Sequence, residues 1–313
     1  MAAPFFGYHM PTYSFPGVTD DALFDHLAHL ALAAEDAGFD MVTVMDHFYQ
    51  IRGVGLETEP MLESYSTLAA LAQRTEKVRL STLVTGVTYR NPALLVKMVT
   101  TLDVLSKGRA ILGIGAAWNE DEHRGYGFEF PPLGRRMDRL DEVLQIARLM
   151  FAEERPSFTG KYYRIERALN VPRPIQAGGP KILVGGAGEK RTLRLVAKYA
   201  DISNWFPGLE ETHRKMEILD RYCEEEGRDS TTILRTVMAP CLLALDESQA
   251  RQLKERIPPE RLAVTGDPVT PEQAVERLQP YLAAGIGGFT FGNTNLDTPE
   301  LIAAAGQVKR ALS

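Results

Sequence analysis

"RAILGIGAAWNEDEHRGYGFEFPP", residues 109–132, is the stretch on which the fold turns. It opens as an apolar run, passes Gly113 and Gly115, and becomes acidic from Glu120. The two glycines match the first half of a dinucleotide-binding G-x-G-x-x-G, but Trp118 stands where the third glycine belongs. An indole there blocks the close helix–strand packing that the third glycine permits, which excludes a Rossmann phosphate turn. The run instead reads as a buried parallel strand over 109–114, with Gly113 to Asn119 as its exit loop. Gly115 is then expected to allow close backbone approach to a flat ligand.

Working outward, seven further short apolar runs read as strands: 5–9, 40–45, 78–84, 181–185, 201–206, 235–245 and 287–291. Most lack alternation, as expected of parallel strands buried on both faces. Helical segments separate them. One carries Leu23, Leu27, Leu30 and Ala34 on one face and stops at Gly38; another starts at Asn91–Pro92; a third has Thr270 as N-cap before Pro271. A helix is also expected to open at Glu189. Eight strands alternating with helices in 313 residues predict a single (β/α)8 TIM-barrel domain spanning 1–313. Residues 155–180 read as a hairpin and proline-rich loop inserted before the fifth strand. Residues 49–61 read as a long loop on the catalytic face.

Composition narrows the partners. The net charge is -6 and the pI about 5.6, with no dense basic run, so nucleic acid is not expected as a constitutive partner. No stretch reaches the ~18 consecutive apolar residues of a membrane span, and the N-terminus lacks the basic region of a secretory signal. Cys223 and Cys241 have no metal-binding spacing and read as free thiols. The expectation is a cytoplasmic protein acting on a small molecule, with no metal.

Asp46 and His47 fall at the end of the second strand. They read equally as strand-end groups that handle a proton, or as a turn cap and a packed imidazole. Gly185, Gly186 and Gly188 leave the fifth strand just before a helix, where backbone N–H groups and the helix dipole attract an anion. Lys190 and Arg191 favour that anion and Glu189 opposes it. Asn119 and Glu122 have capping-box spacing, the bland reading of the cluster Glu120–Glu122. The interleaved charges of "RRMDRLDE" (135–142) read as surface pairs. His26 and His29 read as part of a helix face. Trp205 and Phe206 are candidates for the wall of an apolar substrate pocket, with core packing the alternative.

The blocks "VTVMDHF", "LSTLVTGVTYRNPALLVKMVTTLDVLSKGR", "GRAILGIGAAWNEDEHRGYGFEFPPLGRRMDRLDE", "PKILVGGAGEKRTLRLVAKYADISNWF" and "GIGGFTFG" resemble, in order, those of the bacterial luciferase-like flavin and deazaflavin oxidoreductases. The resemblance runs over about residues 5 to 306 and implies a (β/α)8 barrel with an insertion region. It implies a cofactor at the C-terminal end of the barrel, either coenzyme F420 or FMN, with the Asp-His-Phe and Gly-Gly-x-Gly blocks closer to the F420 branch. It places Asp46 and His47 beside the ring, with the His often catalytic and Asp46 orienting substrate or touching the ring. It implies a non-proline cis peptide at Leu83–Val84 behind the ring, the cofactor phosphate at Gly185, Gly186, Ala187 and Gly188, and a cofactor contact from Asn119. In the sugar-phosphate dehydrogenase branch a catalytic Glu lies just before the residue matching Asn119; here Ala116-Ala117-Trp118 stands there, which argues against a sugar-phosphate substrate without naming a replacement. The activity implied is hydride transfer between the deazaflavin C5 and a small organic substrate. The alternatives are an FMN-dependent monooxygenase and a flavin-binding protein without turnover. Relatives are often homodimers, so a homodimer is a further expectation.

Overall fold

A strand shows successive side chains to opposite faces, so each stave of a closed barrel serves two environments. The computed structural model describes residues 3–206, 208–257, 262, 265–292 and 296–313. Its first half contains β1 (Phe5–Met10), β2 (Met41–Val44), β3 (Arg79–Thr82), β4 (Thr85–Gly86) and β5 (Ile111–Gly115). A small antiparallel hairpin of β6 (Phe158–Thr159) and β7 (Arg164–Ile165) follows. Then come β8 (Lys181–Gly185), β9 (Ile202–Trp205), β10 (Leu234–Met238), β11 (Leu242–Leu243), β12 (Pro268–Val269) and β13 (Gly288–Phe291).

The main sheet runs in the order β3-β2-β1-β13-β10-β9-β8-β5-β4, and its pairings are parallel. β3 and β4 are successive halves of one stave, interrupted by a cis peptide between Leu83 and Val84. β3 pairs with β2, β4 pairs with β5, and a parallel bridge from Leu80 to Ala110 draws the ends together. The result is a nearly closed barrel of eight staves.

Local signals set the helix ends. α1 (Leu23–Asp36) buries Leu23, Leu27, Leu30 and Ala34 and is followed by Gly38 at φ +88°. α2 (Ser64–Ala72) starts where the Glu63 side chain accepts from the Ser66 amide. α3 (Pro92–Leu105) starts where the Asn91 side chain accepts from the Ala93 and Leu94 amides. α4 (Glu120–Tyr126) and α5 (Leu133–Ala152) follow β5, α6 (Thr192–Tyr199) follows β8, and α7 (Leu209–Glu225) follows β9. The helix Pro271–Ala283 has a reciprocal capping box between Thr270 and Gln273. No helix among the described residues is long and apolar enough to cross a membrane.

One strand is shorter than its apolar run. The run 235–245 yields only Leu234–Met238 in the barrel, while Leu242–Leu243 pairs with Pro268–Val269 in a separate two-stranded sheet. Pro240 lies at the break and has no N–H with which to continue the ladder.

Two cores result. The larger lies between staves and helices. The smaller contains Met41, Ile111, Leu183 and Ile202, with Phe5, Leu83, Val84 and Leu234 against it. In register these are inward positions, and they plug the barrel's lower interior. Two residues further along their strands, the inward positions become small or polar: Thr43, Gly113, Gly185, Asn204 and Thr236. Asn204 Nδ2 donates to Thr236 Oγ1 at 3.0 Å and Thr290 Oγ1 at 3.2 Å. The interior thus grades from apolar floor to polar mouth. Gly113 permits the tight closure: a Cβ there would lie 2.0 Å from the Thr82 carbonyl oxygen and 2.7 Å from Ser81 Oγ.

Gly113→Ala is expected to destabilise the fold by about 2–3 kcal/mol or more, because backbone has to shift. Gly134→Ala, in an exposed helical turn with open space around the added methyl, should be neutral or stabilise by about 0.5–1 kcal/mol. Urea unfolding of both variants checks the contrast, and equal effects would contradict it.

Candidate active site

His47 follows β2 at the C-terminal rim, and its partner comes from α4. Its Nδ1 lies 2.7 Å from Glu122 Oε2. The Glu122 carboxylate is fully buried and accepts three further hydrogen bonds: Tyr89 Oη at 2.9 Å on Oε2, and the Phe48 and Tyr49 amides on Oε1, the latter at 3.1 Å. Burial alone would raise its pKa, but His47 and the two amides outweigh burial and hold it below the ordinary carboxylate range. Burial and this same carboxylate push the Tyr89 phenol upward, which keeps it a donor. The capping-box reading of Asn119 and Glu122 is therefore corrected. Asn119 does cap α4, accepting from the Asp121 amide at 3.2 Å, but Glu122 turns inward to His47.

Asp46 does not reach the imidazole's partner network. Its Oδ2 accepts from Arg90 Nη1 at 2.6 Å, and its Oδ1 from Arg90 Nη2 at 2.9 Å and Ser64 Oγ at 2.6 Å. Arg90 also donates to Glu63 Oε1 at 2.7 Å and lies 4.8 Å from the Tyr65 ring centroid. Burial would lower the Arg90 pKa, but the Asp46 charge outweighs it and the net direction is up. Asp46 is an anchor, with both oxygens engaged and 3% exposure. It is not placed as a free group for substrate.

Leu83 and Val84 form the expected bulge. Val84 points inward against the two glycines of the flanking staves: a Cβ on Gly115 or Gly185 would come within 2.8 Å of its methyls. Gly115 therefore makes room for Val84, which corrects its reading as a direct ligand approach. At the exit of β8, Gly186 has φ +104° and its amide donates to the Asn204 carbonyl at 2.9 Å. Ala187 is half-buried against the outer core, and Gly186 and Gly188 are exposed. α6 begins at Thr192, later than the expected Glu189, and no side chain caps it. Glu189 pairs with Arg214 at 2.5 Å, while Arg191 donates to Asp138 at 2.5 Å and the Gly134 carbonyl at 2.9 Å.

The pair Trp205 and Phe206 splits. Asn204 faces the interior, so Trp205 faces the helices; it is 2% exposed in the outer core, with Nε1 3.4 Å from Thr212 Oγ1. Its expected place in a substrate pocket is corrected to core packing. Phe206 is 71% exposed on the rim.

Three contributors escaped the sequence reading. His9 closes the inward series Phe5, Gly7, His9 on β1, with Nδ1 2.9 Å from Thr43 Oγ1. Burial, then the nearby His47, lower its pKa to about 4. Arg136, within the supposed surface helix, is buried and donates to the carbonyls of Ala116 and Ala117, bracing the loop after β5. Trp118 on that loop is exposed, its ring 5.6 Å from His47 at 70°.

The His9 shift has a definite sign. Between about pH 6.5 and 4 the unfolded chain binds a proton on this imidazole that the folded chain does not, so its burial lowers stability as pH falls through that window. His9→Gln should remove up to about 3 kcal/mol of that decline. Urea midpoints at pH 7 and pH 4.5 check it, and parallel pH curves for wild type and variant would contradict it.

The luciferase-like monooxygenase family model matches residues 5–300. The F420-dependent glucose-6-phosphate dehydrogenase of Nocardia farcinica (strain IFM 10152) is 31% identical, over 85% of this chain and 87% of that protein. The protein of the same name from Intrasporangium calvum is 32% identical, over 84% and 86%. In three dimensions the chain is similar to an F420-dependent secondary alcohol dehydrogenase, with TM-score 0.81 and 19% identity over 99% of both chains. A long-chain alkane monooxygenase also gives TM-score 0.81, with 15% identity over 99% of this chain and 92% of that one. These two likenesses bear on the fold alone. With the family match running nearly end to end, the chain belongs to the luciferase-like monooxygenase family.

Proposed function

We propose that this chain is a coenzyme F420-dependent oxidoreductase that moves a hydride between the deazaflavin C5 and a small organic substrate. The observation that carries the reading is the His47–Glu122 pair, set on the same barrel rim as the glycine loop Gly185–Gly188. The names of the sequence relatives support a deazaflavin over a flavin.

The residues fit such a group. The exposed turn at Gly188, just before an uncapped helix start, suits the cofactor's phosphate, while the Gly186 amide is held by the Asn204 carbonyl. Leu83 and Val84 offer an apolar surface to a planar ring, and Asn119, its Oδ1 used in capping, keeps its Nδ2 donor for a ligand. Bound there, the deazaflavin supplies hydride donation or acceptance at C5 with little reactivity toward oxygen.

The chain's own part is proton handling. Glu122, held ionised by its donors, offers only acceptors, so His47 Nδ1 carries a proton and Nε2 is left for substrate. Nε2 takes a hydroxyl proton when the substrate carbon is oxidised and returns one to oxygen when a carbonyl is reduced. Glu122 Oε2 stays on Nδ1, so the imidazole keeps its orientation while it holds that proton. Asp46, through Arg90 and Ser64, fixes the backbone from which His47 projects.

Titration with each cofactor tests the reading. F420 is expected to bind at least about tenfold more tightly than FMN, a difference of about 1.4 kcal/mol; the reverse order would favour the monooxygenase alternative. Binding with no turnover across alcohols, carbonyl compounds and sugar phosphates would favour a carrier. His47→Ala should lower kcat by about 10²–10⁴-fold with F420 affinity retained, and unchanged turnover would remove His47 from the reaction.

A further inference from the structure

Trp118 is a large apolar side chain kept in solvent, 60% exposed, against the candidate catalytic imidazole. It is held there from both sides. Ala117 before it has φ +62°, a left-handed conformation uncommon for a residue with a Cβ. Asn119 after it caps α4, and the buried Arg136 guanidinium grips the carbonyls of Ala116 and Ala117. His47 is fixed in turn by Glu122. Two rings meeting edge to face at 5.6 Å and 70°, each locked from behind, form a corner against which a substrate can sit.

The charges around that corner point the same way. Arg90 is spent on Asp46 and Glu63, Arg136 on carbonyls, Arg191 on Asp138, and Arg214 on Glu189. Of the remaining described cations on these exit loops, Lys190 adjoins the glycine turn and Arg52 is exposed on the long loop after β2. Among the described residues, the buried cations nearest Trp118, Arg136 and Arg90, are already engaged by carbonyls and carboxylates.

Resting on the deazaflavin reading above, we infer that Trp118 determines specificity and that the substrate is a neutral, ring-bearing alcohol or carbonyl compound instead of a phosphorylated sugar. The ring lies against the indole, and its oxygen meets His47 Nε2. One hydride leaves the carbinol carbon for the cofactor and one proton leaves its hydroxyl for His47, so that the carbonyl forms with atoms and electrons balanced.

The test uses the F420-loaded protein with 1-phenylethanol and cyclohexanol on one side and glucose 6-phosphate on the other. The chain has two tryptophans, and the emission lost in Trp118→Phe isolates the exposed one. Saturable change of that emission with the neutral alcohols, and none with glucose 6-phosphate, is expected. Trp118→Ala should raise KM for the neutral alcohols about three- to tenfold with kcat within about twofold, and Trp118→Phe should restore most of the loss. Higher kcat/KM for glucose 6-phosphate, or an unchanged KM in Trp118→Ala, would overturn the inference. Failure to bind F420 would fell the cofactor reading instead, and the emission titration, which needs no turnover, still decides between the two substrate classes.

Discussion

A fully buried carboxylate must find donors for its oxygens or cost the fold several kcal/mol. Glu122 finds four, from two other segments of chain. His47, Phe48 and Tyr49 come from the exit of the second stave, Tyr89 from the exit of the third, and Glu122 itself from the helix after the fourth. One charge therefore ties three neighbouring strand-exit loops together. A rim built of loops is otherwise the softest part of a barrel. The same bond that settles the carboxylate settles the orientation and tautomer of His47, so the stability of the rim and the chemistry of the imidazole rest on a single group.

Beside it stands a second ionic knot with another task. Arg90 joins Asp46, at the end of β2, to Glu63 and Ser64, at the start of α2. The long stretch 49–61 lies between those tied points. Pinning both ends of a loop removes closure entropy as a source of variation in where its base sits. That explains why an aspartate adjacent to the imidazole is wholly occupied elsewhere: it holds the frame in which His47 and Glu122 meet.

Much of this was legible because it is local. Apolar runs, Asn91 and Thr270 as caps and Gly38 as a stop all depend on residues within one turn of each other, and the structure uses them so. The failures lie where the deciding partner is distant in sequence. Glu122 has capping-box spacing to Asn119, and nothing near it announces a histidine 75 positions earlier. Trp205 is a matter of strand parity, where a shift of one residue exchanges interior for exterior. Arg136 sits among alternating charges that look solvated, yet its own acceptors, two loop carbonyls, carry no side-chain signature. His9 had a signal in the alternation Phe5, Gly7, His9, which marks the inward face of β1 once a barrel is assumed.

The glycines show how a correct fold can hide a wrong reason. Gly115 reads as space for a flat ligand, but it and Gly113 are each claimed by protein. Gly113 admits the backbone of the neighbouring stave at Thr82, and Gly115, with Gly185, admits the methyls of Val84. The interrupted third stave thus fills the barrel axis just above the apolar plug and caps it with a branched side chain. In the proposed function, a planar molecule entering from the mouth would rest on Leu83 and Val84 and go no deeper. Its exposed face is then left to the rim, where side chains differ by a single loop and can be exchanged without disturbing the staves. Under the inference drawn above, the staves supply the floor and specificity is written on the rim, in residues such as Trp118.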